Sequence, residues 1–187
     1  MKVIKLGGSL INDHDALTNC LNIIEQNVNK KVVIVPGGGV FADQVRLIQQ
    51  QWDFDEVTAH QMAILAMQQT ALLLKSIKPQ FELSDDLETI KNSHAVVIWS
   101  ADMQLLNNAA IEASWDITSD SLAAWLANQL PVDELILVKS TQIPIKYTIQ
   151  QMQQQGILDT AFHQFTQDST YQITLLNKHG FNEHPFS

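Results

Sequence analysis

A single cysteine, Cys20, stands in a chain of 187 residues. One thiol excludes an internal disulfide framework and any multi-cysteine zinc site, and it fits a reducing, cytoplasmic compartment. Cations are scarce too. The 11 Lys and Arg face 20 Asp and Glu, for a formal charge of −9. That balance argues against a nucleic-acid binder, because neutralising a phosphate backbone takes clustered Lys and Arg. It leaves room for a small anionic ligand, which a few local cations or backbone amides can hold. Long hydrophobic runs are missing. The most apolar helix candidate, residues 62–74, is interrupted by Gln68 and Gln69 and is too short to span a bilayer. Residues 1–6 are broken by Lys2 and Lys5, and no small-residue cleavage site follows, so no signal peptide is expected. No repeat or Pro/Ser-rich linker divides the chain. What is present, 45% hydrophobic and 17% charged residues, is a globular balance. One soluble domain over residues 1–187 is expected.

Strand and helix signals alternate. Residues 2–6 and 31–35 are short β-branched runs that lead into glycine, the pattern of a buried strand followed by a tight turn. Between them Leu17, Leu21, Ile24 and Val28 fall at helical spacing. A second helix follows Gly39, with Phe41, Val45 and Ile48 predicted on one face. A third is expected to start at Thr58, where Thr58 and Gln61 have capping-box spacing, and to turn Met62, Leu65, Ala66 and Leu73 inward. Residues 95–99, 134–138 and 171–176 are further strand candidates. A helix over 119–129 is predicted from the Thr118-Ser119-Asp120 cluster, and the glutamines of 150–155 read as an exposed helix surface. Strands spaced by helices predict a three-layer αβα sandwich around a mainly parallel sheet.

Two glycine clusters close the first two strands: Lys5-Leu6-Gly7-Gly8-Ser9 and Pro36-Gly37-Gly38-Gly39. Ligands of open α/β sheets bind outside the carboxyl ends of the strands, so both loops are expected at one crevice. Glycine lets backbone amides approach an anion, and Lys5 adds a charge beside them. A single cluster of this kind is as easily a sharp turn needing positive φ. Two at equivalent strand ends, one beside a lysine, favour a phosphate crevice. No Walker A string is present. Gly37, Gly39 and Ala42 fit a dinucleotide fingerprint only loosely, because Pro36 intervenes and the acids Asp55 and Glu56 follow no second strand.

These two clusters, followed by Thr118-Ser119-Asp120-Ser121-Leu122-Ala123, resemble in order the signature of the amino acid kinase superfamily. That superfamily includes carbamate, acetylglutamate, aspartate and uridylate kinases. Within it the sequence is most similar to the small aminomethylfuran-phosphate kinases of methanofuran biosynthesis, over residues 36–46 (PGGGVFADQVR), 59–67 (AHQMAILAM) and 114–122 (SWDITSDSL). The likeness is good over about the first 140 residues. It implies an ATP-dependent phosphotransferase acting on a small phosphorylated or carboxylated acceptor, with an aminomethylfuran phosphate as the specific expectation. By the same likeness Lys5 stabilises the transferring phosphoryl group, Asp120 orients the catalytic lysines, Gly7, Gly8 and Ser9 surround the phosphoryl with amides, and Ser119 binds on the phosphate and nucleotide side. Gly37, Gly38 and Gly39 hold the acceptor. Capping of the helix at 119, alongside Ser119, is the competing role for Asp120.

Other residues keep two readings. Lys139 either reaches nucleotide phosphates or is a solvated strand end. Arg46, which follows Asp43 on its helix, pairs with a substrate phosphate or solvates a helix face. Trp115 is a flat wall of the acceptor pocket or an ordinary buried aromatic. His60 touches substrate or, as is commoner, merely sits in the first turn of a helix. His179 and His184 lack ligand partners at useful spacing, so no fixed metal site is predicted; Mg²⁺ would come with ATP. The resemblance also implies a homo-oligomer, a dimer, with the helix over 63–74 as the shared face. The departure lies on the nucleotide side. Residues 139–147 read KSTQIPIKY, without the family's Asp-Gly-Val/Ile-Tyr, and no later Gly-Gly-Met…Lys motif brings a second catalytic lysine. Lys139 or Lys146 is left to replace it. The alternative to an active kinase is therefore a degenerate, kinase-fold ligand-binding or partner subunit.

Overall fold

The fold was analysed in a computed structural model that describes residues 1–27, 31–144 and 147–184. Val28 and Lys146, both singled out above, lie outside the described residues. The central sheet has six strands in the order β3-β4-β2-β1-β5-β6. They are β1 (Lys2–Leu6), β2 (Val32–Pro36), β3 (Glu82–Ser84), β4 (Val97–Trp99), β5 (Glu134–Lys139) and β6 (Gln172–Asn177). Every pairing is parallel. Helices cover both faces, so the αβα sandwich read from the alternation of signals is the architecture found. No described helix is long and apolar enough to cross a membrane.

The period-two alternation of strand side chains sorts the core into two layers. Val3, Val33, Val35, Leu135 and Leu137 face one way, toward α3 (Glu56–Ile77), α6 (Ser119–Gln129) and the short helix Phe162–Thr166. Ile4, Leu6, Ile34, Ile136 and Val138 face the other, toward Leu17, Leu21 and Ile24 of α1 (His14–Gln26). Residues 119–127 of α6 are all buried, as expected of a helix that is apolar nearly all round. Lys2 and Glu134, directly opposite in register, form a buried ion pair of 2.6 Å at the amino end of the sheet.

Three expectations about helices need correction. In α2 (Gly39–Trp52) the buried residues are Ala42 and Val45, while Ile48 is 40% exposed and Phe41 only partly covered. α3 begins two residues before Thr58. Its cap is Asp55, whose carboxylate accepts from the Thr58 amide, so the proposed Thr58–Gln61 box does not form. Along α3 the buried apolar stripe runs through Ile64, Met67, Ala71 and Leu74. Ala66 is buried as predicted, Met62 and Leu73 are half-buried, and Leu65 faces out. Apolar residues occur on every side of this helix, so periodicity alone pointed to the wrong stripe. β3, α4 (Leu87–Asn92) and α5 (Met103–Asn108) are short elements with no prior signal.

Candidate active site

The alternation that turns Val3 toward α6 turns Lys5 the same way, and Lys139 follows Leu135 and Leu137 onto that face. Both lysines therefore arrive, at the carboxyl ends of adjacent strands, over the first turn of α6. Asp120 waits there. Its Oδ1 lies 2.7 Å from Lys5 Nζ, and its Oδ2 accepts a hydrogen bond from Lys139 Nζ. Asp120 is only 2% exposed, and Lys5 is buried as well. Lys139 is thus not a solvated strand end.

Charge decides the protonation of this group. Burial alone would push the Asp120 carboxyl up, but the two ammonium groups outweigh it and hold the carboxyl below its ordinary value. Burial and the neighbouring Lys5 lower the Lys139 ammonium below a normal lysine, against the pull of Asp120. A carboxylate between a buried and a partly buried lysine keeps both charged heads apart and fixed at the edge of the cavity they line.

Asp120 does not cap α6, and neither do the side chains of Thr118 and Ser119. The cap comes from Asp159, which sequence reasoning missed. Its carboxylate accepts from the Thr118 and Ser121 amides, each at 2.9 Å, and from the Thr118 hydroxyl at 2.6 Å. Burial, reinforced by the negative charge of Asp120, raises the Asp159 carboxyl. Asp120 is thereby released from capping to serve the lysines.

The two glycine loops pack backbone against backbone. A Cβ on Gly37 would stand 2.4 Å from the Gly8 nitrogen, and one on Gly8 would stand 2.3 Å from the Gly39 nitrogen. Side chains at those positions would force the loops apart, and Gly39 also has φ of +54°. A cavity opens on either side of this junction. The first, about 340 Å³, is lined by Lys5, Gly7, Lys139, Ser140 and Gly156. The second, about 200 Å³, is lined by Gly38, Gly39, Arg46, Trp115 and Ser119, so Ser119, expected on the phosphate and nucleotide side, borders this cavity and not the one with the lysines. Gly8 and Ser9 border both. Ser9 Oγ and Ser140 Oγ lie 2.6 Å apart, which ties the first loop to the end of β5. Gly37 borders neither cavity; its part is the close approach to Gly8.

The second cavity is polar on one wall and apolar on the other. The Arg46 guanidinium lies 4.0 Å from the centre of the Trp115 ring and 3.5 Å from Asp43. Trp115 is half-buried, and its Nε1 donates to Gln49 Oε1 at 2.7 Å. Stacking of this kind holds the guanidinium on the cavity lining, where it also donates to the Asp43 carboxylate. Ile64, Met67 and Leu122 form the facing wall, and His60 closes the cavity beside them.

Strand ends, paired lysines and glycine junction occupy the part of the chain that matches a known family. Residues 1–142 match the amino acid kinase family. The chain belongs to that family. Among amino acid kinases the comparison extends to a (5-(aminomethyl)furan-3-yl)methyl phosphate kinase from Methanocaldococcus jannaschii, 34% identical over 143 residues. That match covers 73% of this chain and 64% of the relative, so the chain spans just under two thirds of the relative's length. An acetylglutamate kinase from Colwellia psychrerythraea is 35% identical over 71 residues, 38% of this chain and 26% of that protein. In three dimensions the uridylate kinase of Archaeoglobus fulgidus superposes with a TM-score of 0.70 at 20% identity, covering 97% of this chain and 94% of that structure. The shared architecture is that of a uridylate kinase-like amino acid kinase fold.

Proposed function

We propose that this amino acid kinase is an ATP-dependent small-molecule phosphotransferase built as one domain. The observation that carries the reading is the pair of lysines on one buried carboxylate, placed where two cavities share the wall made by Gly8 and Ser9. The cavity with Lys5, Lys139 and Ser140 suits the nucleotide's phosphates. The cavity with Arg46 and Trp115 suits the acceptor. Phosphoryl transfer needs positioning and positive charge more than covalent chemistry, and fixed charges act strongly in a site that excludes water. Lys5 and Lys139 neutralise charge that develops on the transferred group, with Asp120 holding both ammonium heads in place. Lys139 thus takes the part of the second lysine. Asp159 positions Asp120 by anchoring the helix beneath it. The amides of Gly7, Gly8 and Ser9 add donors around the phosphoryl, and Ser119 faces the acceptor.

Mg²⁺ supplies further neutralisation of the phosphates when it arrives with ATP. Among the described residues no group of three or more His, Cys, Asp or Glu is arranged to hold a metal ion. The M. jannaschii relative supports an aminomethylfuran phosphate as acceptor, in the making of a methanofuran-type C1 carrier in the cytoplasm. Arg46 is the residue to grip its phosphate. A small anionic molecule is the partner, rather than nucleic acid or membrane, and a second copy of the chain is proposed to complete a dimer.

Calorimetric titration with Mg-ATP, beside Lys5→Ala and Asp120→Ala, tests the reading. Micromolar binding that both substitutions weaken supports a working site, and transfer of phosphate to the acceptor completes the case. No binding to the unmodified protein at millimolar nucleotide sinks it. The absent Asp-Gly-Val/Ile-Tyr after β5 would then favour a degenerate subunit that binds an acceptor-like ligand without chemistry.

A further inference from the structure

His60 lies on the acceptor cavity in the second turn of α3 and is only 7% exposed. Its Nδ1 is 3.1 Å from the Ser114 carbonyl oxygen. A carbonyl only accepts, so Nδ1 carries the proton in this contact and Nε2 is left with a lone pair. Among the described residues no hydrogen bond engages Nε2. Burial lowers the imidazole's pKa, with the Ser114 carbonyl opposing in part, so the ring is neutral at ordinary pH. A buried ring fixed in one tautomer, with its spare nitrogen at a cavity wall, demands a donor from whatever fills the cavity. Asp43 and Arg46, both on α2, are the other titratable groups on this lining. Arg46 already covers the Trp115 face, so the guanidinium answers an anion while the lone pair and the Asp43 carboxylate answer a cation.

We infer that His60 is a specificity residue whose Nε2 accepts a hydrogen bond from a protonated primary amine on the acceptor, while Arg46 holds the acceptor's anionic group. The cavity thereby selects a small zwitterion. This rests on the kinase reading only in calling the occupant an acceptor. A site built to bond a polar group rejects the analogue that lacks it, because its own buried atom is then left unpaired.

The test is calorimetric binding of three furan-methyl phosphates that differ at one substituent: aminomethyl, hydroxymethyl or methyl. The wild type is expected to bind the amine at least tenfold more tightly than the methyl compound. His60→Asn keeps a donor for Ser114 and removes the lone pair, so it should lose that preference while binding the methyl compound within about twofold of wild type. His60→Gln, whose side-chain oxygen reaches the same region, should restore part of it and serves if the Asn variant folds poorly. The wild-type preference should also shrink on acidification, as a protonated ring repels the ammonium. Equal binding of amine and methyl compounds, or a preference that survives in His60→Asn, overturns the inference. Hydroxymethyl binding as tight as aminomethyl overturns the choice of an ammonium. Binding of none of the three overturns the zwitterion site itself. Discrimination among the three without phosphate transfer from Mg-ATP would sink the kinase reading and leave His60's role standing.

Discussion

Lys139 sits where its proton is comparatively easy to lose, because burial and Lys5 act against the charge that Asp120 supports. A bound phosphate adds negative charge beside it and favours the protonated form. Proton uptake should therefore accompany Mg-ATP binding at alkaline pH, and kcat/KM should decline at a pH below the ordinary lysine value of 10.5. Lys139→Arg, with a guanidinium that stays charged, should move that decline upward even if the maximal rate falls. A pH–rate profile of both proteins checks this, and coincident alkaline limbs would remove Lys139 from the site. Asp120 makes the complementary case. Its folded pKa lies below the unfolded value of about 3.8, so its stabilisation is complete above that value and disappears as pH falls through the folded one. Asp120→Asn leaves the buried Lys5 and the partly buried Lys139 without their shared counter-charge. A loss of about 3–5 kcal/mol is expected at neutral pH, measured by urea unfolding. Lys139→Met in the same background should recover part of it.

Helix α6 shows which parts of the site were legible along the chain. Its bounds were readable because its start signal and its apolar run are local. Its cap was not, because Asp159 lies 41 residues from Thr118 and 38 from Ser121. Nothing near Asp159 marks it as a helix cap, and only the fold brings it there. Asp159→Ala should cost about 1–2 kcal/mol, the usual loss for a cap, and should lower activity further by letting Asp120 shift. Urea unfolding and steady-state rates separate the two effects. The glycine loops were legible as a crevice, yet the reason for glycine at Gly37 was not, since the atom a Cβ would strike belongs to Gly8. Gly37→Ala should destabilise by about 1–3 kcal/mol through overpacking. Its larger effect should fall on turnover, because both cavities meet at the displaced junction. Lys139 was left between two readings for the same reason: strand position is local, but the carboxylate that explains it lies across the layer.

The molecule as a whole is acidic, yet it draws two of its few cations into one buried site and leaves its exposed apolar surface elsewhere. Of eight large exposed hydrophobic side chains among the described residues, seven fall between positions 47 and 77. Trp52 is 73% exposed and Leu72 59%, with Leu47, Val57 and Leu65 also open. These residues belong to α2 and α3, which pack on each other, so the concentration is structural as well as sequential. Scattered apolar residues need no partner, but we propose that this concentration on one pair of helices is an association surface. A second copy of the same chain fits it best, because a two-fold contact needs only a patch complementary to itself. Sedimentation equilibrium should therefore return a dimer mass at micromolar concentration. Leu72→Glu should shift the protein to monomer while leaving its unfolding midpoint nearly unchanged, since that side chain is not part of either core. The acceptor cavity is lined from the same two helices, by Asp43 and Arg46 of α2 and His60 and Ile64 of α3. Dissociation should therefore raise KM for the acceptor more than KM for Mg-ATP. A monomer at hundred-micromolar concentration would remove the second copy, and a Leu72→Glu monomer with unchanged acceptor KM would show that the two surfaces act separately.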